Sequence, residues 1–387
     1  MNVLKRSFLL IIISILFTAV MVACGGDEGS EEASTTNTDE NDVTEETNEP
    51  SEEEEGESDS DSESEAETMD PVTLSLADFA PAPHPIQREI FPEWAAAIEE
   101  ATDGLVTIEM YPGGSLLGSG DIYPGVESGL ADIGHDVSGY NPGRLPVLNS
   151  LYSGGLEYRN SAVSSHVAKD VVEQLNPEEL QDTEIMFIYG IAPGLLMTSE
   201  PVRSLEDLEG MQIRASGTNV ATLEALGATP VAMPVTEAYE SMSRGIVDGS
   251  LLPADTLRSF NLAEVTNYVT HSSLIYTTIN YVTMNKDVWD SFPSHIQEAI
   301  REVNEQAFEH SIEVFTREVE DSLQYAIDEH GVEEIFLTEE EEARWLDRLV
   351  DMIDLRIEEL NDAGLDGEDI MNQLVELTKK YNEELGE

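Results

Sequence analysis

A chain of 387 residues is long enough for two lobes with their own cores, and its 80 acidic residues against 18 basic ones set it apart from proteins that bind phosphate backbones. Nucleic acid is excluded as a partner, because phosphate binding needs a basic surface. The single cysteine, Cys24, excludes disulfides and thiol chemistry in the body of the chain.

The first residues are a leader. Lys5 and Arg6 precede an apolar run from Phe8 to Ala23, which ends in Met21-Val22-Ala23-Cys24. A basic start, an apolar run and a small residue at the cut read as a secretory signal. A cysteine directly after the cut looks like a lipobox, which would make Cys24 a lipidated N-terminus. A transmembrane anchor is the alternative, but the run is short against the roughly 20 apolar residues a span requires. Residues 25–70 are Ser, Glu, Asp and Thr with almost nothing apolar and no Lys or Arg. Such a segment cannot bury enough surface to fold. It reads as a solvated tether reaching at most roughly 150 Å, serving either the search for a partner in the same membrane or as a passive spacer. With its 21 acids and the two leader bases set aside, 59 acids still face 16 bases in the body.

Val72 to Phe79 alternates apolar and polar residues and predicts the first strand. The Pro-rich loop through His84 and Pro85 leads to a helix ending near Ala101, with Phe91, Trp94, Ala95 and Ile98 on its buried face. Leu105 to Met110 predicts a strand, Tyr111 to Leu116 a turn, Asp121 to Gly129 a helix, and Ala131 to His135 another strand. His84 and His135 fall in loops beyond strand ends, where each is either a hydrogen-bonded structural residue or a ligand contact. The seven histidines show no metal-ligand spacing, so no metal or other cofactor is expected. Glu184 to Tyr189 and Leu195 to Thr198 predict strands on either side of a Gly-Pro break.

The stretch from Leu208 to Pro253 carries the densest pattern. Met211 to Arg214 predicts a strand, Ser216 to Thr218 a capping turn, and Asn219 to Leu226 a helix stopped by Gly227. Thr229 to Met233 predicts a strand, Thr236 caps a helix through Ser243, and Ile246 to Leu252 opens a third strand. This alternation implies a parallel α/β sheet, in which ligands sit at the carboxyl ends of strands. Arg214 is placed there. It is either a structural ion pair or a guanidinium holding a carboxylate through two parallel hydrogen bonds. Gly129-Leu130-Ala131-Asp132 and Gly245-Ile246-Val247-Asp248 occupy matching helix-to-strand junctions, which points to two similar lobes. A helix stop and a strand start explain both aspartates, so neither is assigned chemistry.

Val265 to Leu274 and Ile275 to Met284 predict returning strands. From Ser294, with Gln297 at capping-box spacing, one apolar stripe runs through Ile296, Ile300, Val303, Ala307, Phe308, Phe315, Val319, Leu323 and Ile327 to Gly331. About 36 residues make roughly 54 Å of helix, longer than one lobe, so the helix is expected to cross both. A coiled-coil dimer is the other use of such a length, but the stripe lacks clean heptads, and a monomer is expected. Glu339 to Leu360 and Gly367 to Leu385 predict further helices packing on the second lobe.

The run L-x-G-M-Q-I-R-x-x-G from Leu208, the run ALGATPVAMPVTEAY from Ala225 to Tyr239, and Gly245-Ile-Val-Asp-Gly249 followed by Pro253 together resemble the substrate-binding proteins of TRAP transporters, the DctP-type family. The resemblance extends from Thr73 to about Tyr381. It implies a two-lobed α/β periplasmic-binding-protein-like fold with a long helix spanning both lobes. The lobes would comprise residues 71–191 with 280–320 and residues 192–279 with 321–387, after a leader (1–23) and a tether (24–70). It also implies a cleft lined by the loop that carries Ser138 and Tyr140, Arg214 as the anchor for a carboxylate, and delivery of the solute to an ion-driven membrane transporter. Tyr140 would stack on a substrate or cover the lobe's edge. Where several members of that family have an arginine this chain has Leu195, and where they have the asparagine of an E-N-P motif it has Leu252. One cation with apolar neighbours, Val235 and Tyr239 among them, suits a monocarboxylate with an apolar or uncharged body.

The expected protein is thus a tethered extracytoplasmic solute receptor. A zwitterionic osmolyte is the alternative solute. A ligand-sensing domain and a cell-surface enzyme are the alternative functions, although no G-x-S-x-G, H-E-x-x-H or Gly-rich phosphate loop is present. The acidic body carries its own test. At about 1 M salt the Debye length is near 3 Å and surface repulsion is screened, so the melting temperature is expected to climb steadily across a salt series. A melting temperature that stays flat down to low salt would contradict this.

Overall fold

The computed structural model describes residues 69–386, so the expected leader, Cys24 and nearly all of the tether lie outside the described residues. Among those described, no helix is long and apolar enough to cross a membrane. The strands are β1 (Val72–Asp78), β2 (Val106–Tyr111), β3 (Ile133–Val137), β4 (Thr183–Ile191), β5 (Gly194–Thr198), β6 (Gln212–Ala215), β7 (Thr229–Ala232), β8 (Gly249–Pro253), β9 (Tyr268–His271), β10 (Thr278–Asn285) and β11 (Glu333–Phe336). They form two sheets, ordered β2-β1-β3-β10-β4 and β11-β9-β5-β8-β6-β7.

The two sheets repeat one design. In each, three parallel strands (β2-β1-β3 and β7-β6-β8) meet an antiparallel strand, β10 or β5, that the chain delivers from the other half. The echo seen in the sequence is the hinge point of this repeat. Gly129 and Gly245 both adopt positive φ, 75° and 66°, to stop their helices. Leu130 N then reaches Gly125 O at 2.7 Å and Ile246 N reaches Ser241 O at 2.9 Å, the same helix-ending bond in both places. One residue before β3, Asp132 accepts from Ser75 N at 2.8 Å and Ser75 Oγ at 2.7 Å; one residue before β8, Asp248 accepts from Gln212 N at 2.8 Å. Each carboxylate thus fixes the register between the first and third strands of its trio.

The long helix spans Ser294–His330, 37 residues or about 55 Å, and Gly331 closes it in the left-handed conformation. It touches both halves. Phe315 stacks on Tyr189 of β4 at 4.9 Å, while Tyr325 lies under the guanidinium of Arg258, which follows β8, at 5.7 Å. The expected capping box does not form: Ser294 makes no cap, and Gln297 Nε2 donates to Trp289 O at 2.9 Å instead. Thr236 likewise caps nothing, because Val235–Glu237 is a single 3₁₀ turn that runs straight into the helix Ala238–Ser243.

Two further expectations are corrected. The predicted helix Glu339 to Leu360 is two helices, Glu339–Leu349 and Met352–Asp362. Trp345, Leu349 and Met352 belong to the core of the second sheet and Leu360 to the larger core, so the chain must turn between them. The last helix, Gly367–Leu385, does not pack on the second lobe. It lies on Ser161–Leu175, beside the first sheet, where Tyr381 stacks on His166 at 5.1 Å and donates to Asp170 at 2.8 Å, and Asn160 Nδ2 donates to Leu385 O at 2.7 Å. An amphipathic face of Ile370, Met371, Leu374 and Tyr381 finds its apolar partner there.

Asp132→Ala removes two partly buried bonds and is expected to lower the unfolding free energy by about 1–2 kcal/mol in urea titration. Asp248→Ala removes one bond at an exposed position and should cost less. An equal or larger loss at Asp248 would contradict the register argument.

Candidate ligand cleft

Arg214 sits third in β6, its backbone paired with Val231 on one side and Ser250 on the other. Alternation sends Ile213 into the apolar core and the Arg214 side chain to the opposite face. The residue is wholly buried, at 0% exposure. Its Nε donates to Met233 O at 2.9 Å, which orients the guanidinium plane. Both Nη1 and Nη2 are buried without a hydrogen-bond partner, and among the described residues no carboxylate pairs with this charge. An uncompensated buried ion costs several kcal/mol, and the free Nη1/Nη2 edge is the shape that a carboxylate matches with two bonds.

The charge lies against two phenols. Burial pushes the Tyr140 and Tyr276 hydroxyls up from the ordinary tyrosine range while the Arg214 charge pulls them down, so both are neutral donors at physiological pH. Tyr276 belongs to the connection between β9 and β10, where the sequence predicted continuous strand. Its ring lies so close to Gly194 that a Cβ there would fall 2.1 Å from Tyr276 Cδ1, so the start of β5 must be glycine. Asp136, buried, accepts from Val137 N and Asn141 Nδ2, both at 2.8 Å, and pins the turn that carries Ser138 and Tyr140. Burial lifts its carboxyl to about 7.

Tyr140 and Tyr276 line a cavity of about 30 Å³ at the carboxyl ends of β1, β3 and β8. Phe79, Phe260, Val235 and Leu252 complete its apolar wall, and His84, Asp255 and Asn280 its polar one. The two halves are in contact around it. Tyr140 Oη accepts from Val235 N at 3.1 Å, Thr218 Oγ1 donates to Asn149 O at 3.2 Å, and Gly139 packs on Gly217 so tightly that a Cβ on Gly217 would lie 2.8 Å from Gly139 Cα. The space suits about one water, so this is a shut cleft and a solute enters only when the halves part.

Of the residues singled out in the sequence, His84, Tyr140, Val235 and Leu252 are brought together in this wall; Arg214 is not part of it and bears on it through Tyr140 and Tyr276, the two phenols its charge acts on. Ser138 is buried beside the Tyr152 phenol with its own Oγ unpartnered. Leu195 is buried opposite Leu252 in the β5–β8 pair, outside the cavity wall. His135 is not in the wall. Its Nδ1 bonds Asp78 at 2.7 Å, its Nε2 bonds Tyr189 Oη at 2.9 Å, and its ring stacks on Phe79, which commits it to the core of the first sheet. Tyr239 also lies elsewhere, 38% exposed and donating to Glu264 at 2.8 Å on the surface. Asp255, Tyr276, Asn280, Phe79 and Phe260 were missed. Asp255 could have been found, since it follows β8 directly and the strand-end rule already placed Arg214. Among the described residues, no group of three or more His, Cys, Asp or Glu could hold a metal ion.

Comparison with known proteins agrees with this architecture. A solute-binding protein of Roseobacter denitrificans is 28% identical over 204 residues, 51% of this chain and 62% of the relative. The chain spans about three fifths of the length of the first curated relatives it matches. A TRAP solute-binding protein from a marine metagenome, specific for aromatic acid ligands and solved with metahydroxyphenylacetate, is 28% identical with a TM-score of 0.76, covering 80% of this chain and 99% of that one. A TRAP periplasmic solute-binding protein of Desulfovibrio salexigens, solved as an open complex, is 30% identical with a TM-score of 0.70, covering 80% and 96%. Residues 76–355 match the family described as bacterial extracellular solute-binding protein, family 7. The chain therefore belongs to the bacterial extracellular solute-binding proteins of family 7.

Proposed function

We propose that this protein is an extracytoplasmic receptor for a small organic monocarboxylate, which it closes around and hands to a TRAP-type secondary transporter, and that Cys24 carries a lipid anchor at the membrane. One observation carries the reading of the site: a fully buried guanidinium whose Nη1 and Nη2 have no protein acceptor. A solute carboxylate supplies the missing counter-charge. The aromatic wall of Phe79, Tyr140, Phe260 and Tyr276 suits a flat, apolar body, and the marine relative specific for aromatic acids supports the same class. Leu252, apolar where the family resemblance puts a polar group, fits one carboxylate rather than two.

The enzyme reading has little to stand on. Asp78, His135 and Tyr189 form a chain of hydrogen bonds like an acid–base relay, but all three are sealed in the first core at 0% exposure. A group that reaches no substrate abstracts no proton from one. An acid incubated with the protein is expected to be recovered unchanged while the melting temperature rises, as binding to the folded state alone requires.

Two substitutions test the site. Arg214→Lys keeps the charge but loses the planar two-point edge. It is expected to weaken the best carboxylate of a thermal-shift panel, which includes zwitterionic osmolytes, by at least about tenfold in calorimetry, with the circular dichroism unchanged. Equal affinities would reject the anchor. Gly139→Val, at a position without positive φ, drives a branched side chain against Gly217, whose Cα a Cβ alone would meet at 3.4 Å, in the shut form. A Kd weakened by about tenfold or more, with little change in the melting temperature of the ligand-free protein, is the expected result; unchanged affinity would show that closure does not need that contact.

A further inference from the structure

The cavity has a second pole that the carboxylate reading leaves unused. Asp255 is 1% exposed and follows β8 immediately after the turn at Pro253-Ala254. His84 accepts from Ile86 N through Nδ1 at 3.3 Å, which puts its ring proton on Nε2, 3.4 Å from Asp255 Oδ2. Ser259 Oγ also reaches Oδ2, at 3.5 Å. Oδ1 of the same carboxylate is buried with no donor. Across the cavity wall, Asn280 in β10 is 4% exposed, and its Nδ2 is buried with no acceptor. One unpaired acceptor and one unpaired donor therefore line the same small space as Tyr140 and Tyr276, whose phenols flank Arg214. Leaving both unmade is costly, because a buried polar atom without a partner forfeits its hydration.

We propose that Asp255 and Asn280 together hold a hydroxyl group on the solute, so that the ligand class is a hydroxylated aromatic monocarboxylate; this rests on Arg214 holding the acid group. A hydroxyl is one donor with acceptor lone pairs. Its O–H donates to Asp255 Oδ1 while its oxygen accepts from Asn280 Nδ2. Other end groups satisfy only half of the pair. A second carboxylate has no proton for Asp255 and is repelled by it, so dicarboxylates are rejected. An ammonium pairs with Asp255 but offers nothing to the Asn280 N–H, so a zwitterion leaves that donor stranded. The pole also spans the cleft: Asp255 and Asn280 come from different sheets, and His84 bonds Asp255 from the loop after β1. A bound hydroxyl would join the two halves, which close around a solute less tightly than around the present space of about 30 Å³.

The test is titration calorimetry of the exported full chain with matched acids: benzoate against 3- and 4-hydroxybenzoate, phenylacetate against 3- and 4-hydroxyphenylacetate, and isophthalate as the dicarboxylate. At least one hydroxy acid is expected to bind about tenfold or more tighter than its parent, with isophthalate weaker than benzoate. Asp255→Ala should bring that ratio to about one, and Asn280→Ala should lower it as well, which keeps the test open if the first variant does not fold. Equal Kd for hydroxy acid and parent in the unaltered protein overturns the hydroxyl assignment, and a ratio undisturbed by both variants does the same. Arg214→Lys separates the two readings, because it weakens parents and hydroxy acids alike. If no acid of either series binds, both readings fall.

Discussion

A positive charge without a partner governs this molecule. Folding places the Arg214 guanidinium at zero exposure, ties one nitrogen to Met233 O and leaves the other two with nothing. In the shut form such a charge is penalised by several kcal/mol. The penalty is a property of closure rather than of folding, because parting the halves lets water reach the same atoms. On the reading proposed above, a solute carboxylate would supply the missing counter-charge and so favour the shut form.

The surrounding charge does not oppose this. The body has 59 acids to 16 bases, yet a carboxylate bound as proposed would meet Arg214 at hydrogen-bond distance and away from solvent, while the surface charges act through solvent and their own counterions. Local geometry outweighs net charge because one term is desolvated and the other screened. Asp255 is the exception that matters, since it is a buried carboxylate in the same cavity wall. In the proposed site it is the feature that would distinguish the far ends of the ligands.

Much of the fold was legible in the chain because it depends on local pattern. The helix Asn219–Leu226 and its glycine stop, the strand carrying Arg214 and the 37-residue helix all follow from periodicity, stops and length. The Gly-x-x-Asp echo was legible too, and the structure gives its cause in the bonds from each aspartate to the first strand of its trio. What was hidden depends on contacts between distant segments. Ser294 and Gln297 have capping-box spacing, but Trp289 offers a competing carbonyl. His135 and Tyr239 carry suitable chemistry at suitable positions, and only the fold reveals that Asp78, Tyr189 and Glu264 already occupy them. Tyr276 and Asn280 looked like ordinary strand residues, because nothing local says which face of β10 meets the cleft.

The exchange of strands between the sheets ties the two halves together. β5 leaves the first half to complete the second, β10 returns to complete the first, and the long helix touches both. The chain thus crosses between the halves at β4–β5, at β9–β10, along the long helix, and again between Met352 and Leu360, which belong to different cores. Tyr276 lies within one of those crossings and packs on Gly194 at the start of another. The Tyr276 ring is thus held where two of the crossings meet. Asp255 and Asn280 stand on opposite sheets. In the proposed site the two ends therefore differ in origin: the phenol near the acid end is fixed where the chain crosses between halves, while the other end is completed only by residues from both halves.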